Sequence, residues 1–254
     1  MNFRYGNDIM RNIKLMLQYD GTAYHGWQVQ KNAVTVQETV KNALEKITNE
    51  NINLIGCGRT DTGVHAQGYV CSFKTSSSVP ASRLPYALNS ILPDDIVCYL
   101  GEDMEEDFHA KNSAVGKRYI YRIYCGEFPD AFYSRYSWHY KYPLDLEKMK
   151  KAAKAFEGEH DFIGFASSGF TVKTTVRTIY SLDVYKDGNI ITIDIKGNGF
   201  LYNMVRIIAG TLVFAGGGKI RPEDMEDIIN SKDRTRAGIT APPQGLCLKE
   251  VYYS

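Results

Sequence analysis

The same order of elements is spelled twice along this chain, and that repetition limits the fold more than any single motif. Residues 13–19 alternate apolar and polar side chains as a strand does, and Asp20-Gly21 closes them. Thr35, with Glu38 three positions on, makes a capping box. Val36, Val40, Ala43, Leu44 and Ile47 then recur at helical spacing. Strands are expected over 53–59 and 66–74, a helix over 81–90 behind Pro80, and a strand over 96–100. The second half gives a strictly alternating strand over 117–125 and an aromatic loop over 128–142. A helix over 144–156, strands over 176–185 and 190–197 about an Asp187-Gly188 turn, a helix over 199–214, a short helix over 222–229 and a last strand over 246–253 follow. Each half reads βαββαβ, the split ferredoxin-like unit. Two such halves predict an α+β protein with an extended antiparallel sheet, helices on one face, and a cleft where the halves meet.

The acidic run Glu102, Asp103, Glu105, Glu106 and Asp107 reads as a solvated linker. It sets the expected division into residues 1–107 and 108–254. The chain has 254 residues, 44% hydrophobic and 23% charged, enough apolar material for a core of that size. A net charge of +1 excludes a strongly basic coat but allows a local basic cleft. Five widely spaced cysteines without a C-x-x-C pattern disfavour a disulfide framework or zinc site, and point to a reducing cytoplasm. Residues 1–10 lack an apolar stretch of signal-peptide length; either Met10 is the true start or the first ten residues are a loose leader. No segment reads as membrane-spanning.

The chemistry concentrates between the strands over 53–59 and 66–74. There a polar knot of Arg59, Thr60, Asp61 and His65 is crowded by Gly56, Gly58 and Gly63. A solvated hairpin carrying an Arg–Asp pair has the same composition. Asp61 and His65 stand four apart, but the intervening glycine and flanking strands deny them the helix face that such metal ligands share. The Gly216-Gly217-Gly218-Lys219 run follows a helix, so it stops that helix and does not cradle a phosphate. No nucleophile elbow accompanies a serine. An Arg beside an Asp lowers the carboxyl pKa and keeps it ionised as nucleophile or base. Arg59, Arg118 and Arg206 are the candidates. Arg206 stands among residues fit for burial, where a charge is normally paired; an arginine snorkelling at a helix edge is the other reading.

Gly58-Arg59-Thr60-Asp61 with Gly63-Val64-His65-Ala66, Lys117-Arg118-Tyr119-Ile120-Tyr121, Gly199-Phe200-Leu201-Tyr202-Asn203-Met204-Val205-Arg206, and the tail Thr240-Ala241-Pro242-Pro243-Gln244-Gly245-Leu246 together resemble the tRNA pseudouridine synthase A family. Trp27-Gln28, Val36-Gln37, Phe108-His109-Ala110 and Arg177-Thr178-Ile179 match as well, in the family's order. The resemblance implies the pseudouridine synthase fold and a cofactor-free isomerase that detaches a uracil from its ribose and rejoins it through C5. Family substrates are uridines at about nucleotides 38 to 40 in the anticodon arm, and a base in a stem must be flipped out to be reached. On this resemblance Asp61 is the catalytic aspartate, acting on the sugar as nucleophile or base, or adding to the uracil ring. Tyr119 stacks on the base and removes the C5 proton, and Arg206 pairs with Asp61. Arg59, Thr60, His65, Lys117, Arg118 and Tyr121 are the expected substrate-binding residues. No metal or other cofactor is implied. The partners implied are tRNA and a second copy of the chain in a homodimer. Lys111, Ile239, Cys57 and Thr62 depart from the family pattern, which leaves open a paralogue acting on another structured RNA. A non-catalytic RNA-binding protein and a metal phosphodiesterase are the readings from other classes.

Overall fold

In a computed structural model, which describes residues 10–169 and 172–254, the first strand, β1 (Arg11–Tyr19), buries Ile13, Leu15, Leu17 and Tyr19. Helix α1 (Val36–Thr48) starts where the capping box places it: Thr35 Oγ1 accepts from the Glu38 amide at 3.4 Å. It buries Val36, Val40, Ala43 and Leu44 and ends at Asn49 in the left-handed conformation. β2 (Ile55–Gly56), β3 (His65–Thr75), α2 (Leu84–Asn89, entered through a 3-10 turn at Ala81–Arg83) and β4 (Ile96–Met104) complete the first half. The second half runs β5 (Ala114–Tyr124), β6 (Trp138–His139), α3 (Leu146–Lys154), β7 (Gly158–Asp161), β8 (Val176–Asp187), β9 (Ile190–Gly197), α4 (Met204–Gly216), α5 (Met225–Ser231) and β10 (Leu246–Tyr253). Residues 1–9, most of the stretch holding the two candidate starts, lie outside the described residues.

All ten strands of the described residues join one sheet, in the order β4-β1-β3-β10-β5-β9-β8-β7, with β2 on β3 and β6 on β5. Each half thus keeps the ferredoxin-like neighbour pattern. The joint between them differs from the all-antiparallel expectation. β10 runs parallel to β3 and pairs with it only at Cys247–His65 and Leu248–Ala66. β1 occupies one edge of β3, and the other edge is shared: β10 takes its start, while β2 takes Cys71 and Ser72 further along. The two halves therefore part beyond a short seam.

Three further departures are local. The strand expected over 53–59 shrinks to Ile55 and Gly56, which pair with Ser72 and Cys71 of β3, and at Gly56 any Cβ would overlap the Tyr69 hydroxyl and stand 2.5 Å from Trp27 Nε1. β4 runs on through Glu102 and Asp103, so that part of the acidic run is strand and not linker. Lys14 pairs with Glu102 at 2.5 Å and Arg11 with Asp103 at 2.8 Å across the ladder to β1. The helix expected from Gly199 begins only at Met204, because Asn203 adopts φ 61, a left-handed conformation that asparagine tolerates better than most residues.

Candidate active site

Asp61 sits on a turn that its neighbours hold in place. The Trp27 amide donates to Thr60 O at 3.1 Å, the Val64 amide to Asp61 O at 3.1 Å, and the Gly63 amide to Tyr24 O at 3.3 Å. Gly63 takes φ +77 and Gly26 takes φ +81, and a Cβ on Gly26 would overlap Thr60 O. Thr60 is buried, with its hydroxyl 2.8 Å from that of Tyr19. The Asp61 side chain is 23% exposed.

Arg206 approaches from α4, its Nη1 3.2 Å from Asp61 Oδ2. The same Nη1 donates to Asn203 Oδ1 at 2.7 Å, and Nε donates to Ala241 O at 2.7 Å. Its side chain is 15% exposed, so of the two readings of this residue the paired, mostly buried one holds. The expectation that an arginine lowers the Asp61 pKa fails in its net sign. Burial raises it, the charge and hydrogen bond of Arg206 oppose the rise, and burial prevails.

Tyr119 stands on β5, buried between Leu248 of β10 and Ile195 of β9, its ring edge-on to Phe200 at 5.2 Å. Burial, then the fields of Cys57 and Asp61, hold its hydroxyl well above the ordinary phenol range, so Tyr119 is neutral in the free protein. Asp61, Arg206 and Tyr119 thus come from three distant stretches to one place at the seam of the halves.

The other expected substrate residues divide. Arg59 is exposed at the rim of the turn and has no hydrogen bond or ion pair among the described residues. Lys117, on the face of β5 that carries Tyr119, donates to Cys57 O at 2.9 Å and lies over Gly58. Thr60 is absorbed in the turn. Three more do not converge on Asp61. Arg118 points to the opposite face of β5 from Tyr119, where its guanidinium grips Asp194 through Nε at 2.9 Å and Nη2 at 2.6 Å. Tyr121 is fully buried and donates to Pro242 O at 2.8 Å, which leaves it no face for a base. His65 is buried against Asp20 and Tyr136. It lines a separate pocket of about 400 Å³, to which Asp61, Tyr119 and Arg206 contribute nothing. Asn203 and the Ala241 carbonyl, which fix the arginine, had no assigned role in the sequence reading. An Asn among apolar residues, three positions before Arg206 in the expected helix, is the hint the sequence offers of the first.

Fold and site define a two-lobed α+β protein that holds one carboxylate against one guanidinium beside a buried tyrosine, at the seam of paired ferredoxin-like halves. The family model described as tRNA pseudouridine synthase matches residues 15–112 and 152–254. A protein named tRNA pseudouridine synthase A from Thermoanaerobacter sp. (strain X514) is 55% identical over 244 residues, 96% of this chain and 100% of that one. Another of that name, from Ruminiclostridium cellulolyticum, is 51% identical over 245 residues, again 96% of this chain and all of the relative. Among solved structures, the archaeal box H/ACA sRNP Nop10-Cbf5 complex aligns at 14% identity and a TM-score of 0.38, over 80% of this chain and 43% of that one. The chain belongs to the tRNA pseudouridine synthase family.

Proposed function

We propose that this protein isomerises uridine to pseudouridine in the anticodon arm of tRNA. The observation that carries the reading is the Asp61–Arg206 pair, an anion placed where a purely RNA-binding cleft would gain nothing from one. In the reaction the N1–C1′ bond breaks, the uracil turns, and C5–C1′ forms. The C5 proton passes to solvent and N1 gains one. Asp61 acts on the sugar or ring, Arg206 holds its carboxylate in place, and Tyr119 offers a flat face for the flipped base and an oxygen near C5. Arg59 and Lys117 are the cations for the backbone. The expected division at residues 107 and 108 puts Asp61 on one half and its two partners on the other. The protein works in the cytoplasm as a homodimer, and its sedimentation and light-scattering mass should be twice that of the chain.

Unmodified tRNA labelled with tritium at uracil C5, incubated with the protein and EDTA, tests the reading. Tritium release that disappears in Asp61→Ala is the expected result. Tight binding without release makes the protein a binder, and strand cleavage sensitive to EDTA makes it a hydrolase; either overturns the synthase.

A further inference from the structure

One contact from the aromatic loop of the second half reaches Asp20 at the end of β1, beside the strand that follows the Asp61 turn, and the chemistry just proposed does not use it. Tyr136 donates its hydroxyl to Asp20 Oδ2 at 2.9 Å. The other oxygen, Oδ1, takes the Thr22 amide at 2.9 Å and the Thr22 hydroxyl at 2.5 Å, and it faces His65 Nδ1 at 3.1 Å. The Gly21 amide points at the same Nδ1 at 3.0 Å. Gly21 is in turn pressed so closely on Val64 that a Cβ would overlap the Val64 carbonyl, and the Val64 amide closes the turn on Asp61 O. An unbroken series of contacts therefore runs from Tyr136 through Asp20 to Gly21 and His65, and from there to Val64 and Asp61.

His65 makes this bridge sensitive. One imidazole nitrogen cannot both accept from Gly21 and donate to Asp20, because the first needs it bare and the second needs it protonated. Nε2 is buried without a hydrogen bond of good geometry, although the backbones of Arg135 and Gln244 approach the ring and favour its protonated form. When Nδ1 accepts from Gly21, it faces the lone pairs of an ionised Asp20. The Tyr136 hydroxyl, donating to the far oxygen, tempers that repulsion. Tyr136 itself stands on a loop whose tip is open to solvent. Phe132 is 87% exposed, and Arg135 beside Tyr136 is exposed too. Tyr133 anchors the loop to its own half by stacking on Tyr124 at 5.5 Å.

On the synthase reading, we infer that Tyr136 is a positioning residue: through Asp20 and His65 it ties the second half's aromatic loop to the turn that sets Asp61. The device belongs to the reaction and not to general stability, since the turn it braces carries the carboxylate and the loop it starts from is free to meet RNA.

Tyr136→Phe removes the hydroxyl and keeps the ring. Hydrogen exchange on the RNA-free protein is expected to quicken about fivefold in peptides covering residues 59–65, with α3 as an unchanged control. With unmodified tRNA, kcat should fall about tenfold while KM stays within about twofold, because a displaced reactive group costs rate more than binding. Asp20→Asn should give the same pair of changes, and the double variant no more than either alone. Unchanged exchange at 59–65, a loosening that includes α3, or a raised KM at full kcat each overturns the inference; the last makes Tyr136 an RNA contact instead. Wild-type protein that releases no tritium refutes the synthase reading, and the exchange result still decides whether the bridge exists.

Discussion

Arg206 and Asp61 meet across 145 positions of chain, guanidinium Nη1 to carboxylate Oδ2 at 3.2 Å, and Arg206 reaches that point already anchored to Asn203 and Ala241. The arginine is fixed by three partners and the aspartate by one, so the arginine sets the geometry of the pair.

Replacing Arg206 by Ala should therefore act twice. Asn203 Oδ1, Ala241 O and Asp61 all lose their donor, which should lower stability by about 1–3 kcal/mol in denaturant unfolding. The one influence opposing the burial of Asp61 also disappears, so its pKa should rise further. The acid limb of the kcat/KM profile, which follows ionised Asp61, should then move to higher pH. A variant with unchanged melting and an unmoved acid limb would refute the pairing as a functional one.

Asp61→Asn should change how stability depends on pH. The folded pKa of Asp61 lies above its unfolded value, so the wild-type group favours the fold fully below the unfolded pKa and loses that contribution as pH rises through the folded pKa. The melting temperature of the wild type relative to Asp61→Asn should accordingly fall between acidic and neutral pH. Thermal melts across that range check the sign, and a difference that grows in favour of the wild type contradicts it.

Tyr119→Phe keeps a flat ring and loses the oxygen. Tritium release should drop by about 10²–10⁴-fold, the span of general acid–base contributions, while tRNA binding measured by filter retention stays near wild type. Because the Tyr119 hydroxyl is neutral in the free protein, activity should show no basic limb from its ionisation below the ordinary phenol range.

Gly26→Ala tests the turn itself. The residue holds φ +81, and the new methyl would overlap Thr60 O, one residue from Asp61. Destabilisation of at least about 1 kcal/mol is expected, with a fall in kcat larger than that of Gly188→Ala, where φ is also positive but nothing stands within 4 Å.

Most of the order of elements, the polar knot and the odd charge in an apolar helix were legible in the sequence, because each is written in local periodicity or in one residue out of place; β6 and β7, two and four residues long, were not. What stayed hidden depends on partners far along the chain. Gly56 of β2 lies against Trp27 and Tyr69, and β4 is prolonged by Lys14 and Arg11 across the ladder. Arg118 answers to Asp194, 76 positions away, and Tyr121 to the tail at Pro242. The strict alternation of β5 already put Arg118 opposite Tyr119; only the resemblance to a family drew it into the substrate set. The sign of the Asp61 shift was out of reach for another reason, since a motif names the neighbouring charge but not the depth of burial.

The seam between β3 and β10 makes a single strand the joint of the site. β10 lies between the strand that follows the Asp61 turn and the strand that bears Tyr119. Displacing β10 would therefore leave the Asp61 turn and the Tyr119 strand without the neighbour they share.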